Sequence, residues 1–276
     1  MNNYSIGFIG GGNMAASIIG GLINDGFPAA NICVAEPNDT ARSQLAASFG
    51  VRTEVDNTLI AHDVDVLVLA VKPQVMKSVT QQIADTVQTQ KPLVISIAAG
   101  IRGSDLSDWL GGKVAVVRSM PNTPALVQSG AAGLFANEQV SDTQREQAES
   151  ILRAVGITVW LESEQQIDAV TALSGSGPAY IFYVIEAMEN AGIKLGLDAS
   201  IARRLAVQTA FGASKLALES SDDPALLREK VTSPGGTTER ALQALKDGGL
   251  EGIFMQALQA ANDRAAELAD QLANSD

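Results

Sequence analysis

The sequence predicts an α/β fold followed by an all-helical one: a doubly wound, mainly parallel sheet over residues 1–162, then helices over 163–276. Three observations carry this expectation. At the N-terminus a short apolar strand runs directly into a glycine-rich turn and then a helical pattern. Strand–helix alternation with short connections repeats up to about Leu161. Beyond Glu162 no convincing strand remains, and apolar residues recur at helical spacing.

The first strand is Ser5–Ile9, leading into Gly10-Gly11-Gly12-Asn13-Met14-Ala15 and a helix marked by Ile18, Ile19, Leu22 and Ile23. This is G-x-G-x-x-A in the strand–turn–helix setting that a dinucleotide-binding, Rossmann-type unit requires. Gly10 permits the turn, Gly12 lets a pyrophosphate approach the backbone, and Ala15 lets helix and strand pack closely. A second strand, Ile32–Ala35, ends at Glu36, about where this fold places the carboxylate that holds the adenosine ribose hydroxyls. Such a carboxylate would favour NAD, whereas Asn38, Thr40 and Arg42 could instead accommodate a 2′-phosphate. The sequence leaves both open.

A helix over Asp39–Phe49 stops at Gly50, and Asp65–Val71 is a nearly continuous apolar run suited to a parallel strand covered on both faces. Pro73 ends it, so Lys72 stands at a strand's carboxyl end, where open α/β sheets bind ligands. Leu93–Ile97 is the next strand, turning at Ala98-Ala99-Gly100, where small residues leave room for a flat ring. Val114–Arg118 leads to Ser119-Met120-Pro121-Asn122-Thr123-Pro124, which reads equally as a stiff linker or as the wall of a pocket. Gly133–Ala136 and Ile157–Leu161 flank a helix over Ser141–Ala154 and are expected to complete the same sheet.

In the helical half, Ile167–Leu173 is expected to break at Ser174-Gly175-Ser176-Gly177-Pro178 and resume as Ala179–Ala191, stopping at Gly192. Ser200–Ser220 carries alanines at 202, 206, 210, 213 and 217, a small-residue stripe that allows close helix contact. Asp223-Pro224 reads as an N-cap with proline at the first helical position. Phe254, Leu258, Ala261, Ala265, Leu268 and Leu272 form a seam suited to packing along another helix, in the core or between subunits.

Composition narrows the chemistry. The 276 residues are 46% hydrophobic and 18% charged, as in a compact globular protein. A net charge of −12 argues against nucleic acid or an anionic membrane as partner, and makes any anionic substrate depend on a local, directed site. The single cysteine, Cys33, excludes an internal disulfide and leaves no zinc-type cluster, so no metal is expected. The lone histidine, His62, sits among polar residues and reads as a surface group. No secretory leader pattern or apolar run of ~20 residues is visible, which suggests a cytoplasmic protein.

The stretch with most chemistry is Val231-Thr232-Ser233-Pro234-Gly235-Gly236-Thr237-Thr238-Glu239-Arg240, followed by helical Ala241–Leu245. Proline and two glycines hold the backbone open, and the first amides of the helix lack partners. A small carboxylate can sit there, with Ser233, Thr237 and Thr238 supplying hydroxyls. The usual proton donors are thin: the helix after Gly177-Pro178 carries no lysine before Lys194. A carbonyl acceptor needs strong general-acid help. A protonated cyclic imine already carries positive charge and needs only a carboxylate cradle, a partner for nitrogen and correct placement.

With these motifs the chain resembles the pyrroline-5-carboxylate reductase family. Ser-Pro-Gly-Gly-Thr-Thr before Ala-Leu-x-x-Leu is similar to the family signature. Similar blocks occur in order at Gly7–Met14, Ala70–Pro73, Ser96–Gly100, Met120–Pro124 and Ser174–Tyr180. The resemblance covers essentially the whole chain. It implies reduction of 1-pyrroline-5-carboxylate to L-proline with NADPH or NADH. It also implies a helical domain of the 6-phosphogluconate-dehydrogenase-like type that forms a homodimer, possible further assembly being a ring of dimers. Carried over by position, Ile9, Gly10, Gly11, Gly12, Asn13, Met14, Glu36, Asn38, Asn57, Ala70, Val71, Lys72 and Pro73 would contact the dinucleotide, with Ala98 and Ala99 beside its nicotinamide. Ser233, Gly236, Thr237 and Thr238 would hold the substrate, with Ser233 and Thr238 at the chemistry and Glu164 lining the pocket. The family's position at Glu36 is often small or polar, so the usual NADPH preference is in question here. The competing readings are another 6-phosphogluconate-dehydrogenase-like reductase of a small oxo or hydroxy acid, which the missing lysine disfavours, and a dinucleotide-sensing regulator without turnover.

Overall fold

Eight short strands share one sheet because most of them are apolar enough to be covered on both faces. The computed structural model describes residues 4–273. Its strands are β1 (Ile6–Ile9), β2 (Ile32–Ala35), β3 (Arg52–Glu54), β4 (Val66–Leu69), β5 (Leu93–Ser96), β6 (Val116–Met120), β7 (Gly130–Ala136) and β8 (Gly156–Trp160). They lie in the order β3-β2-β1-β4-β5-β6-β7-β8. Every neighbouring pair is parallel except β6 and β7. The direction of winding reverses between β1 and β4, the switch point where doubly wound sheets hold ligands beyond their strands' carboxyl ends.

The pleat sorts the strand side chains into two cores. Ile6, Phe8, Val66 and Val68 meet α1 (Asn13–Asn24) on one face, through Ile18, Ile19 and Leu22. Ile9, Leu67 and Leu69 point to the other, into a cluster with Met76, Ile83 and Leu106. Between these elements lie α2 (Asp39–Phe49) and α3 (Asn57–His62). Met76 and Ile83 belong to α4 (Pro73–Gln90) and Leu106 to α5 (Gly103–Trp109). Burying each such side chain contributes roughly 1.5–3 kcal/mol. The helix between β7 and β8 is α6 (Asp142–Arg153), started by a capping box between Ser141 and Gln144. Cys33 is buried on β2, and the His62 side chain is 65% exposed. No helix of the described residues is long and apolar enough to cross a membrane.

After the sheet come α7 (Gln166–Val170), a π-helical turn over Thr171–Gly175, and α8 (Gly177–Lys194), α9 (Ala199–Glu219), α10 (Pro224–Lys230), α11 (Thr237–Asp247) and α12 (Leu250–Ala273). The described residues beyond Trp160 contain no strand. Two details depart from expectation. The chain does not break at Ser174: it widens into the π turn, with Ser176 N–H donating to Thr171 O at 2.8 Å. Nor does Gly192 stop α8, which runs on to Lys194. A Cβ at Gly192 would lie 3.3 Å from that of Ala202 on α9, so this glycine admits the neighbouring helix, and the chain turns at Gly196, with φ +100°.

The chain forms two compact units, residues 1–176 with 261–276, and residues 177–260. In the second, α8 and α9 pack over Ala202 and Ala206, while Ala213 and Ala217 of the alanine stripe stay exposed. α12 is divided between the units. Its last turns bury Ala265 and Ala269 and bring Leu272 to the core beside Gly100 and Ile101, with Arg102 paired to Asp270. The expected continuous seam is therefore interrupted: this part of it is spent on the sheet unit.

Candidate active site

The glycine-rich turn sits at the switch point. Gly10 N–H donates to Ala35 O at the end of β2, and Ala70 N–H donates to Ile9 O at the end of β1, both at 2.8 Å. Gly10 has φ +96°, and a Cβ there would fall 2.8 Å from Ala70 O, so a side chain is excluded twice over. Gly12 differs. It is the N-cap of α1 in ordinary extended geometry, lacks a side-chain cap, and a Cβ on it would meet nothing within 4 Å. The space above it is open, and the first amides of α1 face no acidic residue of their own turn. A pyrophosphate fits this cradle on both counts.

Around it the fold gathers most of the expected dinucleotide residues. Ile9 is fully buried beneath the turn, and Asn13 and Met14 open α1. Ala70 and Val71 leave β4 half-buried, Lys72 is the exposed N-cap of α4, and Pro73 its first residue. Ala98 is buried and Ala99 exposed beyond β5. Asn57 starts α3, but its side-chain amide already donates to Gln82 Oε1 on α4 at 3.0 Å. Asn38 caps α2, accepting from Ala41 N–H at 2.9 Å.

Glu164 lies, half-buried, in an electrostatic cluster around the buried Arg118 that the sequence did not reveal. Its Oε1 accepts from Gly103 N–H at 2.6 Å and from Arg118 Nη1 at 3.0 Å. The Arg118 side chain is 4% exposed, and its Nε has no hydrogen-bond partner among the described residues. Both residues line a cleft of about 350 Å³ with Lys113 and Phe135. Burial pushes the carboxyls of Asp168 and Asp105 up, against the opposing pull of nearby arginines. Arg118 was legible only as a cation ending an apolar strand, a position that demands a counter-charge. The stretch from Met120 to Pro124 acts as a tether: Asn122 donates to Ser174 O and accepts from Ala131 N–H, each at 2.9 Å. It thereby holds the π turn to β7.

The second cradle belongs to the helical unit. Gly235, with φ +73°, turns the chain into α11, whose N-cap Gly236 has no side-chain cap. Gly236 N–H is bound to Ser233 O at 3.0 Å, and Gly235 N–H to Glu239 Oε2 at 2.8 Å. The amides of Thr237 and Thr238 are first-turn donors that α11 cannot satisfy itself. Ser233 and Thr237 are exposed and Thr238 half-buried beside them. The role of Glu239 in closing this turn was not foreseen. No group of three or more His, Cys, Asp or Glu side chains suited to a metal occurs among the described residues.

Along 272 residues the chain is 52% identical to a pyrroline-5-carboxylate reductase of Pseudomonas aeruginosa, covering 99% of each protein. The chain belongs to the pyrroline-5-carboxylate reductase family. An archaeal pyrroline-5-carboxylate reductase, from Methanosarcina acetivorans, is 40% identical over 97% of the chain and 99% of its own length. Residues 164–268 match the family model for pyrroline-5-carboxylate reductase dimerisation, and residues 5–100 that for NADP oxidoreductase, coenzyme F420-dependent. Among solved structures, the pyrroline-5-carboxylate reductase of Coxiella burnetii superposes with a TM-score of 0.95 at 47% identity, covering 97% of this chain and 99% of that one. The Plasmodium falciparum enzyme, solved with NADP bound, gives 0.85 at 29% identity, covering 98% and 99%.

Proposed function

We propose that this chain reduces 1-pyrroline-5-carboxylate to L-proline, the last step of proline synthesis, with hydride from NADPH or NADH. The observation that carries the reading is the 52% identity along almost the whole chain to a reductase of that name. Two features of the chain support the chemistry: an open Gly12 cradle for a pyrophosphate and an uncapped helix start flanked by Ser and Thr hydroxyls.

In this reading the turn from Ile9 to Met14 holds the dinucleotide backbone, and Ala98 and Ala99 leave space for its ring. When bound, the nicotinamide supplies a hydride to the imine carbon. The amides of Thr237 and Thr238 and the Ser233 hydroxyl bind the substrate carboxylate. Thr238 also gives the ring nitrogen a hydrogen-bond partner. That nitrogen enters protonated, so hydride addition to C=N–H⁺ yields the secondary amine without further proton transfer. This accounts for a site without a general-acid lysine. Glu164, which the family resemblance assigns to the substrate, holds Arg118 within the sheet unit. The functional division follows residues 1–162 for cofactor and 163–276 for substrate and dimerisation. The enzyme works in the cytoplasm as a homodimer, with dimers joined in a ring.

Initial rates separate this from the alternatives. Oxidation of either reduced dinucleotide with pyrroline-5-carboxylate, but with no member of a panel of 2-oxo acids, is the expected result. Turnover of an oxo acid would reassign the substrate, and tight dinucleotide binding with no turnover on the imine would point to a regulator.

A further inference from the structure

Glu36 immediately follows β2, and its carboxylate is docked on the glycine-rich turn. Oε2 accepts from Gly11 N–H and Oε1 from Asn38 N–H, each at 2.9 Å. The fit is close: a Cβ on Gly11 would lie 3.3 Å from both Cβ and Cγ of Glu36. Two fixed donors thus aim the carboxylate at the nucleotide end of the crevice, and its oxygens keep lone pairs for further donors. We propose that Glu36 makes this enzyme select a dinucleotide with free adenosine ribose hydroxyls, NADH, over the 2′-phosphorylated form. The inference rests on the dinucleotide reading of the turn. Ribose hydroxyls donate to a carboxylate, whereas a 2′-phosphate brings like charge against it.

The groups that could offset that repulsion are already engaged. Arg42 is the one cation between Glu36 and Phe49. Its guanidinium donates to Glu36 O at 2.9 Å and Pro37 O at 3.4 Å and pairs with Asp39, leaving the side chain 19% exposed. The Asn38 side-chain oxygen is held as the cap of α2. Pro37, Asn38, Asp39 and Thr40 are exposed on this turn, and none of them carries a positive charge. The turn is built around its own carboxylate. The Plasmodium relative was solved with NADP bound, so a chain of this fold can admit the phosphorylated form and the selection lies in this chain's own residues.

Calorimetric titration of the full-length protein tests this without turnover, using NADH against NADPH and ADP-ribose against its 2′-phosphate. The unphosphorylated member of each pair is expected to bind at least about tenfold tighter, given like charges a few ångströms apart. Glu36→Ser and Glu36→Gln, checked for folding by circular dichroism, are each expected to shrink that ratio about tenfold. Equal or tighter wild-type binding of the phosphorylated ligands overturns the selectivity while leaving the dinucleotide site standing. So does a ratio unmoved in both folded variants. Failure of all four ligands to bind removes the dinucleotide reading itself. The wild-type ratio decides the matter even where a variant does not fold.

Discussion

The sheet unit and the helical unit spend their apolar residues in opposite ways. In the first, β1, β2, β4 and β5 are buried along their whole length, and two clusters close over both faces. In the second, α8, α10 and α11 bury no residue, and Phe182, Tyr183, Leu205, Phe211, Leu218 and Met255 are each more than half exposed. The exposed apolar surface of the helical unit is of the kind that assembly covers, in keeping with its match to a dimerisation family model. The sheet unit carries its glycine-rich turn at the strand ends. The helical unit carries the uncapped start of α11.

The largest expected effect falls on that apolar surface. Phe182→Asp or Leu205→Asp places a charge on the exposed apolar surface and is expected to abolish the dimer, at a cost of ~3–5 kcal/mol for a buried unpaired charge. Light scattering would show the mass of a single chain, and an unchanged oligomer would mean that this surface lies outside the interface.

Gly12→Val probes the sheet unit. Open space and unstrained backbone at Gly12 leave stability intact. The added side chain fills the pyrophosphate cradle, so dinucleotide affinity is expected to fall about 100-fold. Undiminished affinity at an unchanged melting temperature would place the dinucleotide elsewhere. Next in size, Glu164→Ala strands the 4%-exposed Arg118 side chain, and because Glu164 is itself partly exposed the loss is expected near ~2–3 kcal/mol. Urea denaturation measures it; a loss under ~0.5 kcal/mol would mean that solvent already screens the pair.

Thr238→Ala acts on the helical cradle. Turnover is expected to drop about tenfold or more while dinucleotide affinity stays the same, the mirror image of Gly12→Val. An unaltered rate would exclude the Thr238 hydroxyl from the chemistry. The smallest effect concerns Asp168, whose folded-state pKa is raised by burial. A raised pKa favours folding below the unfolded value near 3.8 and opposes it once pH passes the folded value. Asp168→Asn is therefore expected to stabilise the fold at pH 7 by less than ~1 kcal/mol, read as a slightly higher melting temperature, and the gain should vanish near pH 3. A destabilised variant at pH 7 would show that the charge is paired better than its burial implies.

Strands β1, β2, β4, β5, β6 and β8, the glycine-rich turn and the start of α11 were legible because each has a local signature. Apolar runs between turn residues predict strands, and glycine or proline at a fixed offset predicts a turn. β3 was not legible: Arg52-Thr53-Glu54 is polar and becomes a strand only by pairing with β2 at the sheet edge. Gly192 was misjudged for a related reason, since its value lies in what packs against it.

Local periodicity and turn chemistry by themselves determined the doubly wound sheet, the switch to helices and the glycine-rich turns that open α1 and α11. Tertiary structure alone decided that Glu164 answers Arg118 across 46 positions, that Glu36 folds back onto Gly11, and that the end of α12 returns to the sheet unit. Charges and helix ends find partners through space. A contact that closes a long loop leaves no periodic trace in the residues between, so only the folded chain reveals it.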